Sequence, residues 1–189
     1  MRKKILGVVL VLVVVFVVAV SSRPAQFSIE RSATMAAPPS RVFEHVDDFR
    51  KWESWSPWAK LDPSMKVEFS GASSGPGAVY HWTGNQEVGE GRMTLLESQT
   101  SERVKIRLEF IKPFATVNLT ESSFREEGGR TTVRWAMSGE NSFFMKAFHL
   151  FMNMDKMVGK DFEKGLANLK AVVESSAPKP KEPVKSPNP

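Results

Sequence analysis

The sequence predicts an α+β fold in which one curved, antiparallel sheet of seven strands wraps around a long C-terminal helix. Seven segments between residues 27 and 138 alternate apolar and polar side chains, which is the period of a half-buried strand. The links between the last six segments are short and rich in glycine or charge, as an antiparallel meander requires. Residues 142–174 carry apolar side chains at helical spacing, so this segment is long enough to cover the apolar face of the sheet.

The first strand is predicted over residues 27–35, and two short helices follow it. Pro38, Pro39 and Ser40 are typical of a helix N-terminus, and a second helical turn is expected over residues 49–53. The other strands are expected over residues 66–70, 78–83, 91–97, 103–110, 115–124 and 130–138. Their alternation predicts a sheet with one apolar and one wet face.

The C-terminal helix is predicted to contain a break. Its apolar stripe consists of Phe144, Phe148, Phe151, Val158, Phe162, Leu166, Leu169 and Val173. A continuous helix over this segment would be about 50 Å long at about 1.5 Å per residue. That length is large for a body of this size, so we expect a break between residues 152 and 159. Gly165 lies beside the stripe, where a missing side chain permits close approach to the sheet.

Composition and charge exclude several classes of function. The chain of 189 residues contains no cysteine, which excludes disulfides, thiolate metal sites and a cysteine nucleophile. The formal net charge of +5 comes from the two ends, because residues 1–23 contribute +4 and residues 175–189 contribute +2. Residues 24–174 carry −1, so no nucleic-acid partner is expected. Phosphate binding needs a local excess of Lys and Arg.

The N-terminus carries a membrane signal. Residues 5–20 are uninterrupted apolar residues, and Arg2, Lys3 and Lys4 precede them. The length lies between that of a signal-peptide core and a spanning helix, and we favour an uncleaved anchor over a cleaved signal or a buried strand. Under the positive-inside rule the body lies outside the cytoplasm, in the periplasm of a Gram-negative cell. A cleaved leader would instead give a secreted protein.

The chain therefore divides into three parts. Residues 1–23 form the anchor or signal segment, residues 24–174 form one folded domain, and residues 175–189 form a Pro/Lys-rich tail predicted to be disordered. In residues 24–174 the apolar side chains are expected to point into the interior of the domain.

A curved sheet that grips a helix generally leaves a space between the two. Side chains of the inner face and the helix are expected to line it, and methionine suits a cavity that accepts varied apolar ligands. The residues expected to line a ligand-binding cavity are Tyr80, Trp82, Met93, Leu108, Phe110, Trp135, Met137, Phe148 and Met152. Val117 and Leu119 are assigned to the same inner face. These residue types are also typical of a filled core, and the sequence leaves both interpretations open.

Candidate catalytic residues are few, and none is assigned. His149 and Glu121 are weak candidates for a general acid or base near the cavity. Glu121 continues the inward alternation of Val117 and Leu119, so either it points into the cavity or a bulge near residues 122–123 resets the register. The three histidines lack metal-ligand spacing and no nucleotide-binding fingerprint occurs, so neither a metal nor a cofactor is expected.

Three tryptophans, Trp52, Trp55 and Trp58, form a separate cluster. We favour the interpretation that they pack the short helices against the end of the sheet, because each ring buries a large apolar area. The alternatives are an aromatic wall at the mouth of the cavity and an exposed aromatic surface that binds a partner protein.

Several motifs together resemble the polyketide cyclase/dehydrase-like proteins of the SRPBCC (START-like) superfamily. They are Ala36-Ala-Pro-Pro-Ser-Arg-Val-Phe43, Gly75-Pro-Gly-Ala-Val-Tyr-His-Trp82, Gly89-Glu-Gly-Arg-Met93, Lys112-Pro-Phe114 and Gly159-Lys-Asp-Phe-Glu-Lys-Gly165. The resemblance covers residues 27–174 and implies a helix-grip fold. Most members of the family bind lipids, steroids, polyketides or other hydrophobic molecules, and a minority are cyclases or hydrolases. This subgroup has no agreed catalytic residues, so none is carried over.

The favoured function is a membrane-anchored, extracytoplasmic domain that binds or carries a hydrophobic small molecule or lipid. One alternative is a cyclase, dehydratase or hydrolase that uses Glu121 or His149. Another is a protein-interaction or stress accessory module that uses the tryptophan cluster.

Overall fold

A computed structural model of the chain describes residues 1–148 and 150–175. The helices are α1 (Arg2–Ser21), α2 (Pro39–Asp47), α3 (Phe143–Phe148) and α4 (Met154–Ser175), with a 3-10 helix at Phe49–Ser54. The strands are β1 (Gln26–Met35), β2 (Lys66–Gly71), β3 (Ala78–Thr83), β4 (Glu90–Gln99), β5 (Arg103–Lys112), β6 (Thr116–Glu127) and β7 (Arg130–Glu140).

The strands form one seven-stranded sheet in the order β1-β7-β6-β5-β4-β3-β2. Every neighbouring pair is antiparallel, and β2 to β7 follow one another in chain order as a meander. β1 lies at the far edge, where it pairs with β7. The predicted α+β fold, with two short helices after β1 and a helix at the C-terminal end, is confirmed.

The core lies between the inner face of the sheet and α4. Phe162 and Leu166 of α4 are buried there. Trp135 of β7 stacks on Phe162 with parallel rings whose centroids are 4.1 Å apart. A Cβ at Gly165 would lie 2.9 Å from Trp135 Cζ3 and 3.2 Å from Pro57 Cδ. The helix can approach the sheet this closely because residue 165 has no side chain.

The break in the C-terminal helix comes earlier than predicted. α3 ends at Phe148 and α4 begins at Met154, whereas we expected the break between residues 152 and 159. The apolar stripe is buried along α4, but Phe144 and Phe151 are exposed. The reason is that α3 packs against α1, so its aromatic side chains do not join the core.

β6 turns the opposite face inward from the one predicted. Asn118, Thr120 and Ser122 are buried on the inner face, whereas Val117 is exposed on the outer face and Leu119 is half-buried there. The assignment of Val117 and Leu119 to the inner face is therefore wrong.

The neighbouring strands set the register of β6. Thr120 lies opposite Ile106 of β5 and Met137 of β7, both of which are buried on the inner face. The pairing with β5 runs without a shift along the whole ladder, so no bulge at residues 122–123 resets the alternation. The shifts in the pairing lie on β4, between Glu90 and Gly91 and between Leu95 and Glu97.

α1 contains 20 residues, which gives a length of about 30 Å at about 1.5 Å per residue. This length matches the hydrocarbon core of a bilayer, also about 30 Å. By length and composition α1 could cross a membrane, and a signal sequence near the N-terminus has the same properties. Most of the predicted tail, residues 176–189, lies outside the described residues.

We predict that Gly165→Ala destabilises the domain. Alanine favours a helix over glycine by about 1 kcal/mol, but overpacking against the Trp135 ring costs about 1–3 kcal/mol. Lys164→Ala, at an exposed neighbouring position, is the control and should change the free energy of unfolding little. Urea unfolding of the full chain in lipid nanodiscs, followed by tryptophan fluorescence, measures both. A Gly165→Ala protein as stable as the parent would contradict this packing.

Candidate functional site

An apolar cavity of about 220 Å³ lies between the inner face of the sheet and the N-terminal half of α4. We call it the sheet–helix cavity. Strands β3 to β7 form one wall, and α4 with the segment after the 3-10 helix forms the other. The lining residues are Trp52, Ser56, Trp58, Ala59, Met65, Tyr80, Trp82, Glu87, Val88, Met93, Leu108, Phe110, Thr120, Trp135, Met137, Val158, Asp161 and Phe162.

The structure brings most of the predicted cavity residues together. The residues of the prediction that line the sheet–helix cavity are Tyr80, Trp82, Met93, Leu108, Phe110, Trp135 and Met137. The other two do not line it: Phe148 is exposed on α3, and Met152 lines a separate open groove between β1 and residues 150–155. Both were misplaced because the helix breaks before it reaches the sheet.

Several lining residues were not assigned to the cavity from the sequence. Val158 and Phe162 belong to the predicted apolar stripe, and their helical spacing was the available signal. Thr120 was missed because the alternation of β6 was assigned to the wrong face. Trp52 and Trp58 line the cavity, as the alternative of an aromatic wall allowed, but they come from irregular or 3-10 segments, for which periodicity gives no facing rule.

Trp135 is the centre of the aromatic wall and is 4% exposed. Edge-to-face contacts join it to Trp52, Trp55 and Trp58, with centroids 6.2, 5.5 and 5.9 Å away. The geometry is the one that aromatic quadrupoles favour. Together with the stack on Phe162, these contacts fix the position of the indole in the cavity wall.

The indole nitrogen of Trp135 has no hydrogen-bond partner among the described residues, although it is buried. Other tryptophans do have acceptors: Trp52 Nε1 donates to the Val46 carbonyl and Trp82 Nε1 to the Val88 carbonyl, both at 2.9 Å. Buried tryptophan N–H groups usually find a partner. Because the Cζ3 edge of Trp135 faces Gly165, its Nε1 lies on the opposite edge of the ring.

The interior of the cavity carries no positive charge among the described residues. Glu87 and Asp161 are the charged residues of the lining, and no Lys, Arg or His belongs to it. Burial raises the pKa of the Tyr80 hydroxyl, and the negative charge of Glu53 raises it further. Tyr80 is therefore a neutral hydrogen-bond donor at physiological pH.

The mouth of the cavity lies between the β3–β4 loop and the first turns of α4, where Glu87 is exposed and Asp161 half-buried. Asp62 fixes this loop. Its carboxylate accepts hydrogen bonds from the Ser64 hydroxyl at 2.7 Å, the Ser64 amide at 2.9 Å and the Asn85 amide at 2.7 Å. These bonds lower the pKa of Asp62.

The structure does not bring the candidate catalytic residues together. Glu121 points to the outer face of the sheet, opposite Lys105 of β5 and Ala136 of β7, so it cannot act as an acid or base in the cavity. His149 lies outside the described residues. Within the described part of the chain, no group of three or more metal-ligating side chains is close enough to hold an ion.

The tryptophan cluster packs inward. Trp52 and Trp55 are buried, and Trp58 is partly buried and lines the cavity. The alternative of an exposed aromatic partner surface at these residues is therefore wrong, because the rings face the sheet and α4.

A single antiparallel sheet that grips one long helix around an apolar cavity is the arrangement of the helix-grip proteins. Residues 26–174 match the family described as "Polyketide cyclase / dehydrase and lipid transport", and the chain belongs to this family. The predicted resemblance is confirmed. A comparison with curated proteins gives no match.

Solved structures with the same fold are distant in sequence. Protein CV1439 from Chromobacterium violaceum is 15% identical with a TM-score of 0.57, over 80% of this chain and 99% of that one. Protein Ms6760 from Mycobacterium smegmatis is 18% identical with a TM-score of 0.54, over 79% and 92% of the chains. The di-domain ARO/CYC BexL from the BE-7585A biosynthetic pathway is 16% identical with a TM-score of 0.57, over 86% and 54%. At these identities the similarity establishes the fold alone.

We predict that Tyr80 ionises above the ordinary tyrosine pKa of about 10. Tyr80 is the only tyrosine of the chain, so phenolate absorbance in an alkaline titration reports this group alone. Burial and the Glu53 charge both disfavour the phenolate, so Tyr80 should contribute stability that is present below pH ~10 and lost as pH rises through its folded pKa. Glu53→Gln should lower the pKa without abolishing the transition, and Tyr80→Phe should abolish it. A midpoint at or below that of the urea-unfolded chain would refute the burial of this hydroxyl.

Proposed function

We propose that the chain is a membrane-anchored binding or carrier protein whose sheet–helix cavity takes a small, uncharged, hydrophobic molecule. The observation that carries the proposal is the apolar cavity itself, which is lined mainly by aromatic, aliphatic and methionine side chains. Burial of an apolar ligand in such a space is favourable in proportion to the apolar area removed from water. The family of the chain, which includes lipid-transport proteins, supports the same class of ligand.

The volume limits the size of the ligand. An apolar cavity of about 150 Å³ accommodates benzene, and drug-sized ligands need about 300–1,000 Å³. The sheet–helix cavity has about 220 Å³. It therefore suits a molecule of one substituted ring, or an equivalent short aliphatic chain, rather than a complete diacyl lipid.

The polar groups of the wall limit the chemistry of the ligand. The Tyr80 and Thr120 hydroxyls can each donate a hydrogen bond to a molecule in the cavity, whereas the unpaired Trp135 Nε1 atom is itself buried in the wall. A carbonyl, ether or hydroxyl oxygen would accept a hydrogen bond from either hydroxyl. A buried carboxylate would find no cation in the lining and would face Glu87 and Asp161 near the mouth.

The N-terminal helix supports a fixed location at a membrane. α1 is apolar and long enough to span a bilayer, and Arg2, Lys3 and Lys4 precede its apolar run. The positive-inside rule places these cations in the cytoplasm and the domain on the other side. In this arrangement a hydrophobic ligand would be held next to a membrane and outside the cytoplasm.

Filling the cavity should abolish ligand binding. We expect Leu108→Trp, which adds an indole ring to the cavity wall, to weaken binding of acetophenone at least about tenfold, equal to about 1.4 kcal/mol. Leu119→Trp makes the same change on the outer face of the adjacent strand and should leave binding unchanged. The readout is the shift of the indole N–H resonances of Trp52, Trp82 and Trp135 in the full chain in nanodiscs.

The nanodisc titration contains its own reference, because Trp55 does not line the cavity and its Nε1 donates to the His45 carbonyl at 2.9 Å. Its resonance should not move. Binding in the parent protein that survives Leu108→Trp unchanged would locate the ligand elsewhere and overturn the proposal.

The cavity should also discriminate by charge. Acetophenone and benzoate have nearly the same shape, but benzoate would bury a carboxylate with no positive partner. We therefore expect acetophenone to bind at least about tenfold more tightly at neutral pH, since burial of an unpaired charge is strongly unfavourable. The same indole resonances measure both affinities, and lowering the pH below the pKa of benzoic acid should reduce the difference. Equal affinities at neutral pH would contradict the assignment of a neutral ligand.

A further inference from the structure

A group of large apolar side chains remains exposed on the domain. Phe151 is 81% exposed, and Phe114, Phe143 and Phe144 are each more than half exposed. We call Phe114, Phe143, Phe144, Phe148, Phe151 and Met152 the phenylalanine patch. It comprises α3, the turn that follows α3, and the β5–β6 turn.

A ring contact within the patch joins two segments that are distant in the chain. The rings of Phe114 and Phe144 are in contact, with centroids 5.4 Å apart, although they lie on segments 30 residues apart in the chain. α3 has no buried residue, so it does not contribute an apolar face to the core. Clustered exposed phenylalanines of this kind mark a surface that is covered by a partner or a membrane.

The patch lies next to the C-terminal end of the apolar run of α1. α3 packs against α1, whose Val20 is buried while the preceding apolar residues are exposed. Two hydrogen bonds join the link after α1 to Asn141, two residues before α3. The Asn141 amide donates to the Ala25 carbonyl at 2.8 Å, and Asn141 Nδ2 donates to the Pro24 carbonyl at 3.2 Å. The end of a membrane-spanning α1 would therefore hold α3 at the bilayer surface.

The charges beside the patch suit an anionic lipid surface. Lys146 belongs to α3, and Lys156 and Lys160 are exposed on the first turns of α4. Lys112, two residues before Phe114, is paired with Glu90 at 2.6 Å and adds no net charge. The two nearest carboxylates in sequence are Glu140 and Asp155, each three residues from the patch; Glu140 is exposed, and Asp155 is paired with Arg31 at 3.1 Å. Lysines around exposed phenylalanines are typical of segments that lie in a membrane interface.

We infer that the phenylalanine patch docks into the surface of the bilayer that α1 crosses, on the side where the domain lies. This inference rests on the membrane anchor of the proposed function. The docking surface and the cavity share neighbouring residues: Met157 is exposed beside Val158, which lines the cavity, and Phe110 lines the cavity four residues before Phe114. Docking therefore holds the sheet–helix cavity close to the lipid, where a hydrophobic ligand would enter or leave.

Single cysteines test the inference cleanly, because the chain has none of its own. Phe151→Cys reports the patch, Leu96→Cys is the control at an exposed position on the outer face of β4, and Val11→Cys reports the middle of α1. Each full-length variant is labelled with an environment-sensitive fluorophore and reconstituted in nanodiscs of phosphatidylcholine and phosphatidylglycerol. Spin-labelled lipids then measure contact with the bilayer by quenching.

We expect strong quenching at positions 11 and 151, with emission shifted to the blue at 151, and little quenching at 96. Quenching at 11 but not at 151 overturns the inference and indicates that a protein partner or a second copy covers the patch. Equal quenching at 151 and 96 also overturns it, because the domain would then have no fixed orientation. Absence of quenching at 11 rejects the anchor and the docking together, whereas the ligand titrations remain an independent test of the cavity.

Discussion

The stack of Trp135 on Phe162 joins the sheet to α4, and the packing of the domain depends on it. Three further tryptophans contact the edges of the same indole, so one side chain of β7 also holds the segment after the 3-10 helix. Gly165 is required beside it because a Cβ would meet the ring. Opposite Trp135 on β6 stands Ser122, and opposite Met137 stands Thr120. Large side chains on one strand are thus matched by small ones on the next, as dense packing requires.

That matching explains which parts of the fold the sequence could predict. The seven strands and the C-terminal helix follow from alternation and helical spacing, since both patterns are local. Alternation predicts the wrong inner face for β6, because its inner residues are more polar than Val117 and Leu119 on its outer face. The inner residues are Asn118, Thr120 and Ser122. The preference for small inner residues comes from neighbours on other strands, and alternation within β6 carries no information about them.

The apolar stripe of the C-terminal segment shows a second limit. Spacing predicts that Phe144, Phe148 and Phe151 share a face with Phe162 and Leu166. Phe144 and Phe148 lie on α3 and Phe151 lies in the turn after it, whereas the other two lie on α4. The first group is exposed next to α1, and the second is buried on the sheet. An apolar pattern predicts that side chains are shielded from water, but it does not predict which element covers them. Seven of the nine predicted cavity residues lie on strands, where the pairing of the sheet decides which face a side chain joins. The two misplaced residues, Phe148 and Met152, lie at the end of α3 and in the break that follows it.

The cavity and the unpaired Trp135 donor are two costs to stability in the same region of the core. Thr120 is too small to fill the space in front of the aromatic wall. A larger apolar residue there would fill the cavity and restore the dispersion contacts that its lining lacks. A buried N–H without an acceptor adds a further cost of about 1–3 kcal/mol. Both costs fall on the same wall, while the rest of the core, around Leu166 and Leu169, is closely packed. A ligand of the proposed class would restore the missing contacts at this wall.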